Sequence, residues 1–194
     1  MNNDFIKVER NSFLAMISTA YKSFSLSFRR QCDLFTSERD LLFLAFTGTF
    51  ILFLSNLPVQ ITKSSTLEID PVTYIGLIGF VSFFFIPLFL YIVSTLLFFI
   101  LKAFKGSASF YELRLALFWS LNVAGPLLVV NGLLKGFFIN YEWIGYISLI
   151  LNSYVAWIIS SMLAAAENYK STLPTFFVAV AFITTPQFMP LIFS

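Results

Sequence analysis

The fold is decided by an uncharged run from Thr73 to Leu101, which reads TYIGLIGFVSFFFIPLFLYIVSTLLFFIL. A helix needs about 20 apolar residues to cross a bilayer core of about 30 Å, so this run is long enough for one crossing. Four more apolar runs lie at Leu41–Leu57, Leu113–Leu134, Trp143–Ala164 and Leu173–Phe193. None of the five holds an Asp, Glu, Lys or Arg well inside it. The sequence therefore predicts an all-α integral membrane protein with five transmembrane helices.

The placement of basic residues predicts the orientation of these helices. Ten of the 12 Lys and Arg fall on one predicted side, and two fall on the other. The ten are Lys7, Arg10, Lys22, Arg29, Arg30, Arg39, Lys102, Lys105, Arg114 and Lys170, and the two are Lys63 and Lys135. Cytoplasmic loops carry the excess of Lys and Arg. We therefore expect a cytoplasmic amino-terminal segment (residues 1–40), a five-helix transmembrane domain (residues 41–194) and an external carboxyl terminus.

Residues 12–30 carry the pattern of an amphipathic helix preceding the spans. Phe13, Ile17, Tyr21, Phe24 and Phe28 recur every three or four residues, which places them on one stripe. The basic residues of the neighbouring strip are Lys22 and Arg29. Two interpretations remain open. The helix either lies on the cytoplasmic leaflet, held by buried aromatic rings and anionic lipid, or packs against the cytoplasmic ends of the spans.

Prolines mark irregular points in the predicted spans. Pro58 is expected to end the first span, because proline lacks the N–H that the preceding turn needs. Pro87 lies near the middle of the second span, which predicts a kinked or tilted helix, with a re-entrant segment as the alternative. Gly125-Pro126 interrupts the third span and is either a hinge or a kink filled by a neighbouring helix.

The fourth span carries a row of small and polar residues. The row consists of Ser148, Asn152, Ala156, Ser160 and Ala164 at uniform four-residue intervals. Small residues let two helix backbones approach closely, and Asn152 can add an interhelical hydrogen bond. This row is therefore predicted to be a helix-packing face, whether the partner helix belongs to this chain or to another.

The composition argues against enzymatic chemistry and against nucleic acid as a partner. The chain has no His and one Cys, Cys32, so the commonest general base and the commonest transition-metal ligand are absent. No catalytic constellation, cofactor motif or metal site is found. A net charge of +2 without a long basic run gives no nucleic-acid footprint.

Two acidic residues are expected at cytoplasmic helix ends. Glu112 lies near Arg114 in sequence, and Glu167 lies near Lys170. Ion pairing at the interface is one interpretation of these neighbours. A polar contact site on the cytoplasmic rim is the other.

Two stretches resemble a known family. The first runs from Phe104 through Gly106 and Ser109-Phe110 to Glu112-Leu113, followed by an apolar run containing Pro126. The second is Ala164–Ala166 followed by Glu167, Asn168 and Tyr169. Together they resemble the bacterial branch of the Ypt-interacting-protein (Yip) family, although Asn168-Tyr169 stands where His-Gly-Phe-like residues are usual.

The resemblance implies five spans, a cytoplasmic amino terminus and the bacterial inner membrane. Eukaryotic Yip relatives are implicated in vesicle traffic and in binding small Ras-like GTPases. No catalytic or ligand residue can be carried over to this chain, and the fold alone does not assign a function.

Two functions follow as expectations. The first is a non-enzymatic inner-membrane protein that organises the membrane or partner proteins, with the lipid bilayer, other membrane proteins or a second copy as partners. The second is a transporter, or a subunit of one, for a neutral or amphipathic molecule. Its polar path would be lined by Asn122, Asn131, Asn152 and Gln187. A membrane enzyme ranks third. The absence of ionisable residues inside the spans argues against a proton-coupled carrier.

Overall fold

The computed structural model describes residues 12–66, 69–138, 141–177 and 179–180. Within these residues every regular element is a helix. The helices are α1 (Phe13–Ala20), α2 (Phe24–Leu34), α3 (Glu38–Thr66), α4 (Pro71–Ala103), α5 (Phe110–Phe137) and α6 (Trp143–Ala166). A further helical stretch covers residues 173–177.

Four of these helices, α3 to α6, are long and apolar enough to cross a membrane. They correspond to the first four predicted spans and indicate a multi-pass membrane protein. The fifth predicted span, Leu173–Phe193, lies mostly outside the described residues and stays a prediction.

The four long helices define two ends of a bundle. At one end α3 and α5 begin while α4 and α6 end, and contacts between these termini hold them together. We call this the basic end, because Arg39, Lys102, Lys105, Arg114 and Lys170 lie there. Lys63 and Lys135 lie towards the opposite end.

The prediction that Pro58 ends the first span is wrong, because α3 continues to Thr66 with Pro58 inside it. The neighbouring helix explains why the proline is accommodated. Pro58 lies against Gly136 of α5, where an added Cβ would collide with the proline ring and backbone. The connection from α3 to α4 is therefore limited to residues 67–70.

Helix α5 lies at the centre of the bundle and α4 at its edge. α5 packs against α3, α4 and α6, and Leu113, Phe118 and Trp119 are fully buried. By contrast, Phe80 and Phe99 of α4 are 74% and 66% exposed. Large apolar side chains on an outer helix are suited to contact with lipid.

The α3–α5 crossing depends on two glycines, Gly132 and Gly136. A Cβ added at Gly132 would collide with the carbonyl oxygen of Ser55 and lie 2.6 Å from its carbonyl carbon. Because these obstacles are backbone atoms, they cannot move aside as a flexible side chain would. The absence of a side chain at these positions therefore sets the distance between the two helices.

Candidate functional site

The amino-terminal segment forms a helical hairpin, α1 and α2, instead of the single predicted helix over residues 12–30. Ser12 caps α1 by accepting a hydrogen bond from Ala15 N at 3.3 Å. Ser23 caps α2 in the same way, with Leu26 N at 3.4 Å from its Oγ. A second cap at Ser23 starts a new helix there, because the extended backbone of this residue interrupts the first one.

The aromatic stripe of the hairpin faces the long helices. Ile17 and Phe28 are buried, and the ring of Phe13 meets Trp119 edge-on at 5.7 Å between centroids. Phe24 makes a similar contact with Tyr154 of α6 at 6.4 Å. Of the two interpretations left open by the sequence, packing on the spans describes this stripe.

The tip of the hairpin reaches far along the bundle. The Tyr21 hydroxyl donates a hydrogen bond to the carbonyl oxygen of Val123 at 2.7 Å. At 1.5 Å per residue, Val123 lies about 20 Å from the start of α5, and Tyr154 lies about 18 Å from the end of α6. Since the segment returns to the basic end to begin α3, the hairpin lies alongside the spans over about half of their length.

Pro126 removes a donor from the carbonyl next to the one that Tyr21 binds. Proline has no N–H, so the carbonyl of Asn122, four residues earlier, loses its intrahelical donor and the local hydrogen-bond pattern is disturbed. Tyr21 donates to the adjacent carbonyl, that of Val123. A carbonyl oxygen has two lone pairs, so that of Val123 can accept from Tyr21 as well as from its own helix.

The outer face of the hairpin combines apolar and basic side chains. Leu14 and Leu26 are 76% and 69% exposed. Lys22 and Arg29, the two basic residues predicted beside the stripe, are also exposed. This face thus presents leucines that suit the acyl region, and Arg29, which lies nearer the basic end than Lys22, suits phosphate groups.

The inner base of the hairpin is held by Trp119, whose indole Nε1 donates to Ser27 Oγ at 3.0 Å. Nearby, burial, together with the negative charges of Glu112 and Asp33, raises the pKa of the Cys32 thiol to about 11. The thiol is therefore protonated at neutral pH. A protonated thiol is a poor nucleophile.

A second cluster joins the α4–α5 loop to the end of α6. Glu167 is only 4% exposed, and its Oε2 accepts a hydrogen bond from Ala108 N at 2.9 Å. Ser107 Oγ donates to the carbonyl oxygen of Glu167 at 3.0 Å. A Cβ at Gly106 would collide with the Glu167 carboxylate, so the loop approaches this closely only with glycine there.

The ion pairs predicted from sequence neighbours are different in the structure. Arg114 pairs with Glu38 of α3, with 2.6 Å between Nη2 and Oε1, and does not pair with Glu112. Glu112 instead forms a capping box with Ser109 at the start of α5. Glu167 binds the loop backbone and not Lys170. In each case the helix end offered the carboxylate a closer partner.

The row of small residues on α6 is mostly buried. Ser148, Ala156, Ser160 and Ala164 are at most 5% exposed, and Asn152 is half-buried. Asn152 Oδ1 accepts a hydrogen bond from Asn131 Nδ2 of α5 at 3.1 Å. The described chain thus offers a partner helix for this row within the same molecule.

We expect Ala156→Leu to lower the melting temperature in detergent by roughly 5–10 °C, since overpacking a close contact costs typically about 1–3 kcal/mol. Ala156 is 1% exposed. Ser153→Leu is the matched control, because Ser153 lies on the exposed side of the same helix. Equal melting temperatures for the two variants would show that the row does not pack against a helix.

The predicted polar path is not continuous in the described residues. Asn122 is fully buried, and its amide donates to the carbonyl oxygens of Leu44 and Phe118 at 2.9 and 2.8 Å. Asn131 and Asn152 contact each other, but they lie about 13 Å further along α5. Gln187 lies outside the described residues.

Sequence reasoning missed Trp119 and Gln31, two buried residues at the base of the hairpin. Gln31 could have been found, because it continues the spacing of Tyr21, Phe24 and Phe28 by three residues. Trp119 could not, since it lies within an apolar run where a tryptophan has no distinguishing pattern.

The described residues bring no three His, Cys, Asp or Glu side chains close enough together to hold a metal ion. Comparison with protein-family models, with curated proteins and with solved structures found no match to this chain.

Proposed function

We propose that this chain is a non-enzymatic membrane protein that organises the lipid bilayer, or partner proteins within it, through its amino-terminal hairpin. The observation that carries the proposal is the position of α1 and α2. They lie beside one half of the bundle, where Tyr21 reaches Val123, and their outer face exposes Leu14 and Leu26.

The hairpin gives the molecule a wedge shape. A helix with its side chains is about 10 Å across, so two additional helices widen one half of the bundle and leave the other unchanged. A protein wider in one leaflet fits best where that leaflet is expanded, on the convex side of a curved membrane. Preference for such regions would let the chain shape the membrane or gather partners there.

The resemblance to the Yip family supports the same function. The two stretches that carry the resemblance are far apart in sequence, yet Ala108 and Ser107 bind Glu167 directly. We therefore keep the Yip-like assignment within this proposal, including a fifth span and a place in the bacterial inner membrane. The bias of basic residues supports a cytoplasmic amino terminus and an external carboxyl terminus. Other membrane proteins or a second copy of the chain are the further partners that we propose.

Curvature preference can be tested with the full chain, labelled with a fluorophore and inserted into giant vesicles in one orientation. Narrow tubes pulled outward or inward from these vesicles present opposite curvatures to the hairpin. We expect at least about twofold enrichment on tubes that place the basic end on the convex side, because the hairpin area acts in that leaflet alone. Tubes of the opposite curvature should carry a lower density of the protein than the vesicle from which they are pulled.

A matched pair of substitutions separates the hairpin from the spans. Leu14→Ser removes an exposed apolar side chain from the hairpin, whereas Leu149→Ser removes one from the lipid-facing side of α6, where Leu149 is 65% exposed. Only the first should reduce the enrichment. Equal density of the unsubstituted protein on tubes of both signs would contradict the proposed function.

Transport remains the second candidate, favoured by one observation. The contact between Asn131 and Asn152 places two amides together inside the bundle. However, the Asn122 amide already donates hydrogen bonds to two backbone carbonyls in a closely packed region. Uptake of a neutral solute by proteoliposomes, abolished by Asn152→Leu, would replace the membrane-organising proposal.

A further inference from the structure

A cavity of about 170 Å³ lies between α1 and α2. Its polar lining consists of Thr19, Lys22, Ser23, Ser27, Arg30 and Gln31. The groove therefore brings two cations and three hydroxyl groups to one place, without a carboxylate among its lining residues. That combination is suited to an anionic ligand rich in oxygen atoms.

The two cations have no acidic partner in the part of the chain that the structure describes. The ion pair found there joins Arg114 to Glu38, at the start of α5 and α3. Lys22 is exposed, and Arg30 is half-buried. Basic side chains beside a lipid leaflet attract anionic headgroups.

Gln31 adds a second, independent sign of a ligand. It is 1% exposed, and its Oε1 accepts no hydrogen bond within the described residues. A buried acceptor without a donor destabilises the fold, and a ligand with an O–H group would relieve that cost. Because Gln31 lines the same cavity as Arg30, one ligand could meet both.

We propose that this groove binds the headgroup of an anionic glycerophospholipid that carries a free hydroxyl, such as phosphatidylglycerol. Arg30, which is nearer the basic end, holds the phosphate, and the long Lys22 side chain extends towards it from the hairpin tip. Ser23 and Ser27 donate hydrogen bonds to the phosphate, and Gln31 accepts one from the headgroup hydroxyl. The proposal rests on the proposed function, since it specifies the lipid that the hairpin engages. The ligand enters from the leaflet, where Leu26 beside the groove is exposed for contact with its acyl chains.

Lipid binding by the purified full chain can be measured by native mass spectrometry after exchange into a nonionic detergent. Titration with dioleoyl phosphatidylglycerol should give one tightly bound lipid, and dioleoyl phosphatidylcholine should bind at least about tenfold more weakly. Arg30→Ala should weaken phosphatidylglycerol binding by about tenfold, through loss of a charge-assisted contact.

Arg29→Ala is the matched control, because it removes the same charge from the adjacent residue, which does not line the groove. It should change the affinity by less than about twofold. The melting temperature of each variant, taken without lipid, confirms that it is folded. Equal weakening by Arg29→Ala and Arg30→Ala would overturn the proposal, because a diffuse basic surface would then account for the binding.

The hydroxyl contact is tested with dioleoyl phosphatidylmethanol, which has the same charge as phosphatidylglycerol but no free hydroxyl. The unsubstituted chain should prefer phosphatidylglycerol, and Gln31→Leu should bind the two lipids equally. Competition by soluble glycerol phosphate at the same concentration as the lipid would overturn the lipid assignment. If the chain binds the lipid but is not enriched on curved tubes, the proposed function is contradicted and this site is not. If it is enriched on curved tubes but does not bind the lipid, this site is contradicted and the proposed function is not.

Discussion

Gly132→Ala is expected to lower the melting temperature of the protein in detergent by roughly 6–12 °C, the largest effect we expect from adding one methyl group. The added Cβ would meet the carbonyl group of Ser55 in α3. Relief requires the two helix axes to separate, which would also loosen the neighbouring contact of Gly136 with Pro58. Thermal unfolding monitored by static light scattering or tryptophan fluorescence measures the shift.

Gly76→Ala and Gly145→Ala are the controls for this change. Both glycines lie in spanning helices, and an added Cβ would meet nothing within 4 Å. Since Ala favours helix over Gly by about 1 kcal/mol, these variants should be unchanged or slightly more stable. A loss of stability at Gly76 as large as that at Gly132 would show that the α3–α5 crossing is not as close as described.

The same pair of glycines shows what could be predicted from the sequence. Gly132 and Gly136 are four residues apart in an apolar run, which is the small-xxx-small pattern of closely packed membrane helices. That signal is present in the sequence, as is the row of small residues on α6. The partner of the glycines was not predictable, because spacing within one helix identifies a face and not the helix that covers it.

The long helices were predictable because their lengths and apolar composition follow from the thickness of a bilayer. The ends of these helices were harder to predict. Pro58 lacks a donor wherever it lies, but whether the helix continues past it depends on Gly136 of another helix. Tertiary contacts of this kind leave no local signal.

The hairpin illustrates a second limit. The spacing of Phe13, Ile17, Tyr21, Phe24 and Phe28 continues through the break between α1 and α2, so periodicity predicts one helix. An apolar stripe also looks the same whether it faces lipid or other helices. The local sign of the break was the capping capacity of Ser23, which is weak because many Ser residues do not cap.

Trp119→Ala is expected to destabilise the protein by about 3–5 kcal/mol and to release the hairpin from the bundle. Trp119 is fully buried, contacts Phe13 and Phe35, and donates to Ser27. Each of these partners belongs to the hairpin or to the segment after it. The substitution therefore removes the main contact between the hairpin and α5.

Trp143→Ala and Trp157→Ala provide controls that remove the same side chain from exposed positions, where these residues are 44% and 42% exposed. Both should change the stability by less than Trp119→Ala, since these side chains are only partly buried. If either control loses as much stability as Trp119→Ala, the position of Trp119 at the centre of the packing is incorrect.

Cys32 reports whether the hairpin itself has moved. In the packed hairpin burial and the charges of Glu112 and Asp33 raise its pKa to about 11. Release would return the pKa towards the ordinary thiol value of 9.0, and the thiolate fraction at pH 8 would rise by about two orders of magnitude. A thiolate of lower pKa is intrinsically less nucleophilic, so the net gain in alkylation rate should be about tenfold. A lower melting temperature without faster alkylation would mean that Trp119 stabilises the long helices alone, and that other contacts, such as Tyr21 with Val123, hold the hairpin in place.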